Sequence, residues 1–267
     1  MKRKERLQQI LNKEIICYRK IETGLTNDNY YVETADGECV VRCPKPENQV
    51  FFDYKHEAKV IQLLEPYKLD VPVYFYNENT GLKVTQYIHD VHTFELPYIE
   101  DAADLIKRLH HATIQSGKRY NIKEQYEQYH EHITKFIHDL SPYEHYIDDV
   151  VSVSSNWCLC HNDLVEGNFL FGSEGNYLID YEYACDNDPC FDVMSFLTEN
   201  NIMDTPNRNR FYKSYYGFIP EGKLLKKLDI FENGLNVLWC AWAQMMYSKY
   251  EESIYKEIAD IKYSYLK

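Results

Sequence analysis

No apolar run in these 267 residues approaches the ~20 positions that a membrane-spanning helix needs, which excludes an inserted protein. The opening MKRKERLQQILNKE starts basic, but it alternates polar and apolar residues and lacks an apolar h-region. It reads as a helix and not as a signal peptide. The eight cysteines form no C-x-x-C pair; Cys158 and Cys160 stand one residue apart inside an apolar stretch. Without an export signal they read as buried thiols of a cytoplasmic protein. The ten histidines include no H-E-x-x-H, so a structural zinc is not expected. Basic residues are outnumbered, 29 against 42, for a formal net charge of −13. A phosphate backbone would be repelled on average, so nucleic acid is not an expected partner. The sign favours cationic small molecules. Internal repeats and low-complexity linkers are also missing.

What is there is a globular composition, 45% hydrophobic and 27% charged. The length suffices for one large domain or two lobes. Strand texture fills the first third: ICYRKIE (16–22), NYYVET (29–34) and ECVVRC (38–43), with Asp36-Gly37 as a hairpin signal between the last two. FFDYKHEAKVIQLLEPY (51–67) repeats apolar residues at helical spacing and ends at Pro66. VYFYNE (73–78) and LKVTQYI (82–88) flank a turn at Thr80-Gly81. Helical texture follows over 97–113, 122–139, 191–199, 207–216 and a long C-terminal pair. The reading is α+β with two lobes: a small antiparallel sheet with one main helix over 1–90, and a larger, mostly helical lobe over 91–267.

One segment breaks the helical texture. HNDLVEGN (161–168) is followed by FLF and YLI around GSEGN, which predicts a β-hairpin closed by Asp180. Paired strands lie about 4.8 Å apart, so a hairpin returns its two ends to one place. Asn168 opens it and Asp180 closes it, so their oxygens converge, with Asp163 on the loop leading in. Such residues individually cap turns. Together, an amide oxygen and carboxylates without a thiolate form a hard-oxygen set suited to Mg²⁺. The spacing H-x-D-x-x-x-x-N, a hairpin and then Asp matches the catalytic-loop pattern of kinases. In that chemistry Asp163 accepts the proton of the attacking hydroxyl, and Asn168 and Asp180 hold the metal. His161 reads as scaffolding for the loop.

Over nearly its whole length the chain resembles the choline/ethanolamine kinase family, within the protein-kinase-like and aminoglycoside phosphotransferase superfamily. HNDLVEGN, IDYEYA, NDPCFDV (187–193) and LWCAW (238–242) carry the resemblance. It implies a protein-kinase-like two-lobe fold and ATP as co-substrate with Mg²⁺. It also implies that Arg42, in VVRCP, stands where protein kinases place the phosphate-binding lysine, with Glu57 as its ion-pair partner. Read without the resemblance, that pair is a surface pair worth under ~1 kcal/mol. TGLTNDNYY (23–31) stands in place of a glycine-rich loop, with Thr26 and Asn27 as phosphate donors. Gln86 and Ile88 fall at the hinge, where their backbone groups would read adenine.

A quaternary ammonium donates no hydrogen bonds and needs aromatic faces, each worth ~0.5–2 kcal/mol when desolvated. Trp239 and Trp242 project from one helix face; with Leu235, Leu238 and Met246 they read by spacing alone as a core stripe. The resemblance implies instead a substrate cage of Trp239, Trp242, Tyr183 and Glu199. The implied enzyme is a phosphotransferase with an alcohol acceptor, choline or a close cationic amino alcohol. Ethanolamine, thiamine or an aminoglycoside are the rival acceptors, and a nucleotide-binding pseudokinase is the rival of another class. No A-P-E signature follows Asp180, which argues against a protein kinase.

Overall fold

The computed structural model describes residues 3–21, 27–45 and 52–266. By packing they form two compact units, the first from residues 1–112 and 166–184, the second from 113–165 and 185–267.

In the first unit, β1 (Ile15–Ile21), β2 (Asn27–Thr34), β3 (Gly37–Pro44), β4 (Val73–Tyr76) and β5 (Lys83–Gln86) make an antiparallel sheet ordered β1-β2-β3-β5-β4. Thr34 pairs with Gly37, so the predicted hairpin turns over two residues. Alternation along each strand sorts the sheet's faces. Tyr30, Val32, Cys39, Val41, Cys43 and Val84 form a core with Ile15 and with Leu7 of α1 (Arg3–Leu11). Arg42, out of phase with that set, falls on the opposite face beside its cross-strand partner Lys83. There α2 (Tyr54–Leu64) brings Glu57, with Asp53 capping its start by accepting from His56 N–H at 3.1 Å.

Gly81 closes the β4–β5 turn with φ +69°, and a Cβ there would lie 2.3 Å from the buried Tyr54 ring. Only glycine fits that position. α3 (Ile99–His111) buries Ile99, Ala102, Ala103, Leu105, Ile106 and Leu109, a stripe at helical spacing. The predicted hairpin is present as β7 (Phe169–Gly172) and β8 (Gly175–Leu178), with Gly172 opposite Gly175. Both its edges are tied down. His92 and Phe171 exchange backbone hydrogen bonds at 2.9 and 2.8 Å, and Leu178 N–H donates to Leu69 O at 2.8 Å.

The second unit holds α4 (Ile122–Glu131), α5 (His145–Val153), β6 (Cys158–Cys160), β9 (Cys185–Asn187), α6 (Pro189–Glu199), α7 (Thr205–Tyr216), α8 (Gly222–Tyr250) and α9 (Ser253–Ser264). Every residue of α6 from Cys190 to Thr198 is buried, the pattern of a central helix. The helix expected over 122–139 stops at Glu131. Beyond it, Ile137 and His138 N–H both donate to the buried Gln244 Oε1 at 2.8 Å, and Thr134 and Lys135 N–H donate to Ser248 Oγ. Side chains of α8 take the backbone donors that a longer α4 would have used. No helix among the described residues is long and apolar enough to cross a membrane.

Candidate active site

The alternation of β3 and the spacing of α2 put a charge cluster at the centre of the first unit. Arg42 Nη2 donates to Glu57 Oε2 at 2.7 Å and to Gly81 O at 3.1 Å, while Nη1 donates to Asp180 Oδ1 at 2.6 Å. Glu182 Oε2 lies 3.8 Å from the same Nη1 and accepts from Asn27 Nδ2 at 3.0 Å. The expected Arg42–Glu57 pair is thus no surface pair: the side chains are 7% and 1% exposed. Burial alone would depress the Arg42 guanidinium, but Glu57, Asp180 and Glu182 outweigh it and hold its pKa well above the ordinary value. Tyr76 hydroxyl donates to Glu57 Oε2 at 2.6 Å, and burial together with Glu57 pushes its own pKa up. Lys83 pairs with buried Asp70 at 2.7 Å on the same face; burial raises the Asp70 carboxyl even against that lysine.

Asp180 ends the hairpin in the left-handed region at φ 68°. Ile179 N–H donates to Asn168 O at 2.8 Å, so the two ends of the hairpin meet as its geometry predicts. The donors that would hold a hard dication are Asn168 and Asp180, and the charge balance around them fits one. Three carboxylates, Glu57, Asp180 and Glu182, gather on a single guanidinium. Glu57 and Asp180 alone outnumber the single charge of Arg42, and burial, then the neighbouring Asp180, raises the Glu182 carboxyl well above its ordinary value, the response of an acid placed among surplus negative charge. A second positive charge held by oxygen donors relieves that excess.

The loop that carries Asp163 belongs to the second unit up to Val165, and Asn168 and Asp180 belong to the first. Asp192 holds the loop from within α6. Its two oxygens accept from His161 N–H at 2.7 Å and Asn162 N–H at 2.8 Å, and it is fully buried. Asn162, left-handed at φ 65°, accepts from Asn187 Nδ2 at 2.8 Å. The residue before Asp163 is therefore fixed by both backbone and side chain, and Asp163 itself is half-buried. Asp188 caps α6, accepting from Cys190 N–H at 3.0 Å, from Ser155 and Asn156 N–H, and from Lys227 Nζ at 2.5 Å.

Of the residues expected around an acceptor, Trp239 and Trp242 lie edge to face with centroids 6.3 Å apart, Trp239 buried and Trp242 half-buried. Trp242 meets Tyr255 of α9 at 5.8 Å. Glu199, at the end of α6, pairs with Lys262 of α9 at 2.8 Å. Tyr183 belongs to the first unit and packs edge to face on Phe52 at 5.2 Å. Ile88 is buried, and Gln86 N–H donates to Pro72 O at 2.9 Å. Thr26 lies outside the described residues, while Asn27 opens β2 against Glu182.

Sequence reasoning passed over Asp192, Lys262, Tyr255 and Glu182. Asp192 carried a signal, an acid inside the apolar run CFDVMSFL, where a charge must have a dedicated partner. The α9 residues carried none, because the partners of Tyr255 and Lys262 lie on other helices.

The sequence model of the phosphotransferase enzyme family matches residues 18–220. Protein LicA of Haemophilus influenzae is 22% identical over 253 residues, 83% of this chain and 71% of that protein. The crystal structure of choline kinase LicA from Streptococcus pneumoniae superposes with a TM-score of 0.78 at 22% identity, over 98% of each chain. A structure of LicA in complex with AMP superposes at 0.76 with 23% identity, over 98% of this chain and 97% of that one. The fold is that of these two-lobe kinases.

Proposed function

The chain belongs to the phosphotransferase enzyme family, and from that premise we propose that it moves the γ-phosphoryl group of ATP onto the hydroxyl of choline or a close amino alcohol. The observation that carries this reading is the Arg42 fork, joined at once to Glu57 of α2 and to Asp180 at the hairpin's end. A guanidinium held by two carboxylates and a backbone carbonyl keeps its charge and its orientation, which suits it to grip phosphates. The AMP-bound relative supports an adenine nucleotide as its occupant.

In this reading Asp163 accepts the proton of the acceptor hydroxyl as its oxygen attacks the γ-phosphorus. The bond to the β,γ-bridging oxygen breaks, and ADP departs. Arg42 grips the α- and β-phosphates, with Thr26 and Asn27 donating from the loop side and the backbone of Gln86 and Ile88 facing adenine. Glu57 keeps Arg42 in place. Mg²⁺ held by Asn168 and Asp180 would supply positive charge against the phosphate oxygens. Asp192 fixes the loop, so the base meets its proton without searching for it. Glu199, Trp239, Trp242 and Tyr183 are the residues assigned to the acceptor's cationic head, the aromatic faces suiting a group that donates no hydrogen bonds.

An ADP-release assay with choline, ethanolamine, thiamine and kanamycin tests the acceptor. Choline should give the highest kcat/KM, and faster turnover of thiamine or kanamycin would defeat this assignment. Asp163→Asn should lower kcat by ~10²–10⁴-fold while ATP still binds; retained turnover would remove the base.

A further inference from the structure

Lys262 is a buried lysine whose ammonium is committed to the end of α6. Its Nζ donates to Glu199 Oε1 at 2.8 Å and to Thr198 O at 3.1 Å, with the lysine side chain 4% exposed and the glutamate 14%. The inner face of α9 reads Tyr255, Ala259 and Lys262, all buried at helical spacing. Tyr255 meets Trp242, and Ala259 O accepts from Cys240 Sγ at 3.4 Å. α9 therefore runs back along α8, with Tyr255 against Trp242 and Ala259 against Cys240.

We propose that Lys262 sets the acceptor selectivity, occupying the Glu199 carboxylate so that a quaternary ammonium is taken in preference to a primary one. The inference rests on the reading that places the acceptor's cationic head among Glu199, Trp239 and Trp242. A primary ammonium carries three N–H donors and a tightly held hydration shell, and it enters a dry site only where acceptors replace that water. Lys262 already holds one oxygen of the carboxylate that would do so. The pair is also neutral as a whole, so neither kind of cation gains a full charge–charge attraction from Glu199. What remains are aromatic faces, which hold a methylated ammonium without any hydrogen bond. A site lacking the acceptors for N–H groups discriminates strongly against ligands that need them.

The test compares kcat/KM for choline and ethanolamine in the wild type, in Lys262→Met and in the double variant Glu199→Gln/Lys262→Met. Wild type should prefer choline at least tenfold. Lys262→Met frees the carboxylate and should move the ethanolamine-to-choline ratio at least tenfold toward ethanolamine. Adding Glu199→Gln should return the ratio to within threefold of wild type. A ratio that does not move in Lys262→Met, with both activities falling together, overturns the proposal and leaves Lys262 a purely structural partner. Should Lys262→Met fail to fold, calorimetry on the wild type decides. Tetramethylammonium should bind at least tenfold more tightly than methylammonium, and equal binding overturns the proposal. A wild type that neither binds nor phosphorylates choline or ethanolamine defeats the acceptor reading itself, and the inference with it. Turnover of both with an unmoved ratio defeats the inference alone.

Discussion

Methionine in place of Arg42 fills much of the guanidinium's volume but leaves Glu57, 1% exposed, with the Tyr76 hydroxyl as its remaining hydrogen-bond partner among the described residues. Removing one partner of a buried pair costs ~3–5 kcal/mol, because the other charge stays buried. Arg42→Met should therefore lose about that much in urea unfolding, and a loss below ~1 kcal/mol would show the pair to be solvated in solution. Arg42→Lys keeps the charge but not the fork. A single ammonium cannot span Glu57, Gly81 O and Asp180 together, so KM for ATP should rise while stability falls by less than in the methionine variant. Both residues of the pair were singled out by the family resemblance, Arg42 in VVRCP and Glu57 on the following helix, while without it they read as a surface pair. Their burial was not legible, since it depends on Gly81 and Asp180 arriving from other parts of the chain. Lys262 shows the opposite limit. In IKYSYLK it looks like any surface lysine, and only the tertiary approach of Glu199 gives it a role.

Whole elements were predictable wherever local chemistry decides them. The Asp36-Gly37 and GSEGN turns and the Pro66 stop each act within a few residues, and each stands where it was expected. The three-residue strands β6 and β9 are too short for a periodic signal, and they pair with each other across the loop and hairpin between them. α4 ends early for a similar reason, because its would-be continuation is satisfied by Gln244 and Ser248 from more than a hundred residues away. Two elements invite direct tests. Gly81→Ala would put a methyl into the Tyr54 ring at a positive φ, combining backbone strain with overpacking. The expected loss is about 3 kcal/mol, read as a lower Tm. Asp192→Asn keeps the shape of α6 but sets an amide N–H₂ against one of the two loop N–H groups. Here kcat should fall ~10–100-fold with KM for ATP nearly constant, as expected when orientation and not binding is lost. A change confined to Tm would make Asp192 a core residue only.

At the scale of the whole molecule, 42 acidic residues against 29 basic make acid stability depend on which carboxylates are held ionised. Asp188 is held so. Burial would raise its pKa, but Lys227 and the N–H groups of Ser155, Cys190 and Asn156 overcome it and lower the carboxyl below its ordinary 3.8. A depressed folded pKa gives stability that is complete above the unfolded value and is lost as pH falls through the folded one. Asp188→Asn should thus be less stable than wild type by about 3 kcal/mol from pH 8 to pH 5, with the gap closing below about pH 4. A gap independent of pH would show that the cap, not the charge, matters. The same surplus of acid bears on the nucleotide. A chain of net charge −13 meets a polyanionic phosphate tail, and the carboxylates around Arg42 add to the repulsion unless a dication comes with it. Binding to the native state alone raises stability by ~2.7 kcal/mol at a hundredfold excess over Kd. ATP with Mg²⁺ should therefore raise Tm clearly, ATP with EDTA should raise it far less, and Asp180→Asn should lose most of the increment even with Mg²⁺ present. Equal stabilisation with and without the metal would remove Asn168 and Asp180 as its ligands, while leaving Arg42 as the phosphate contact.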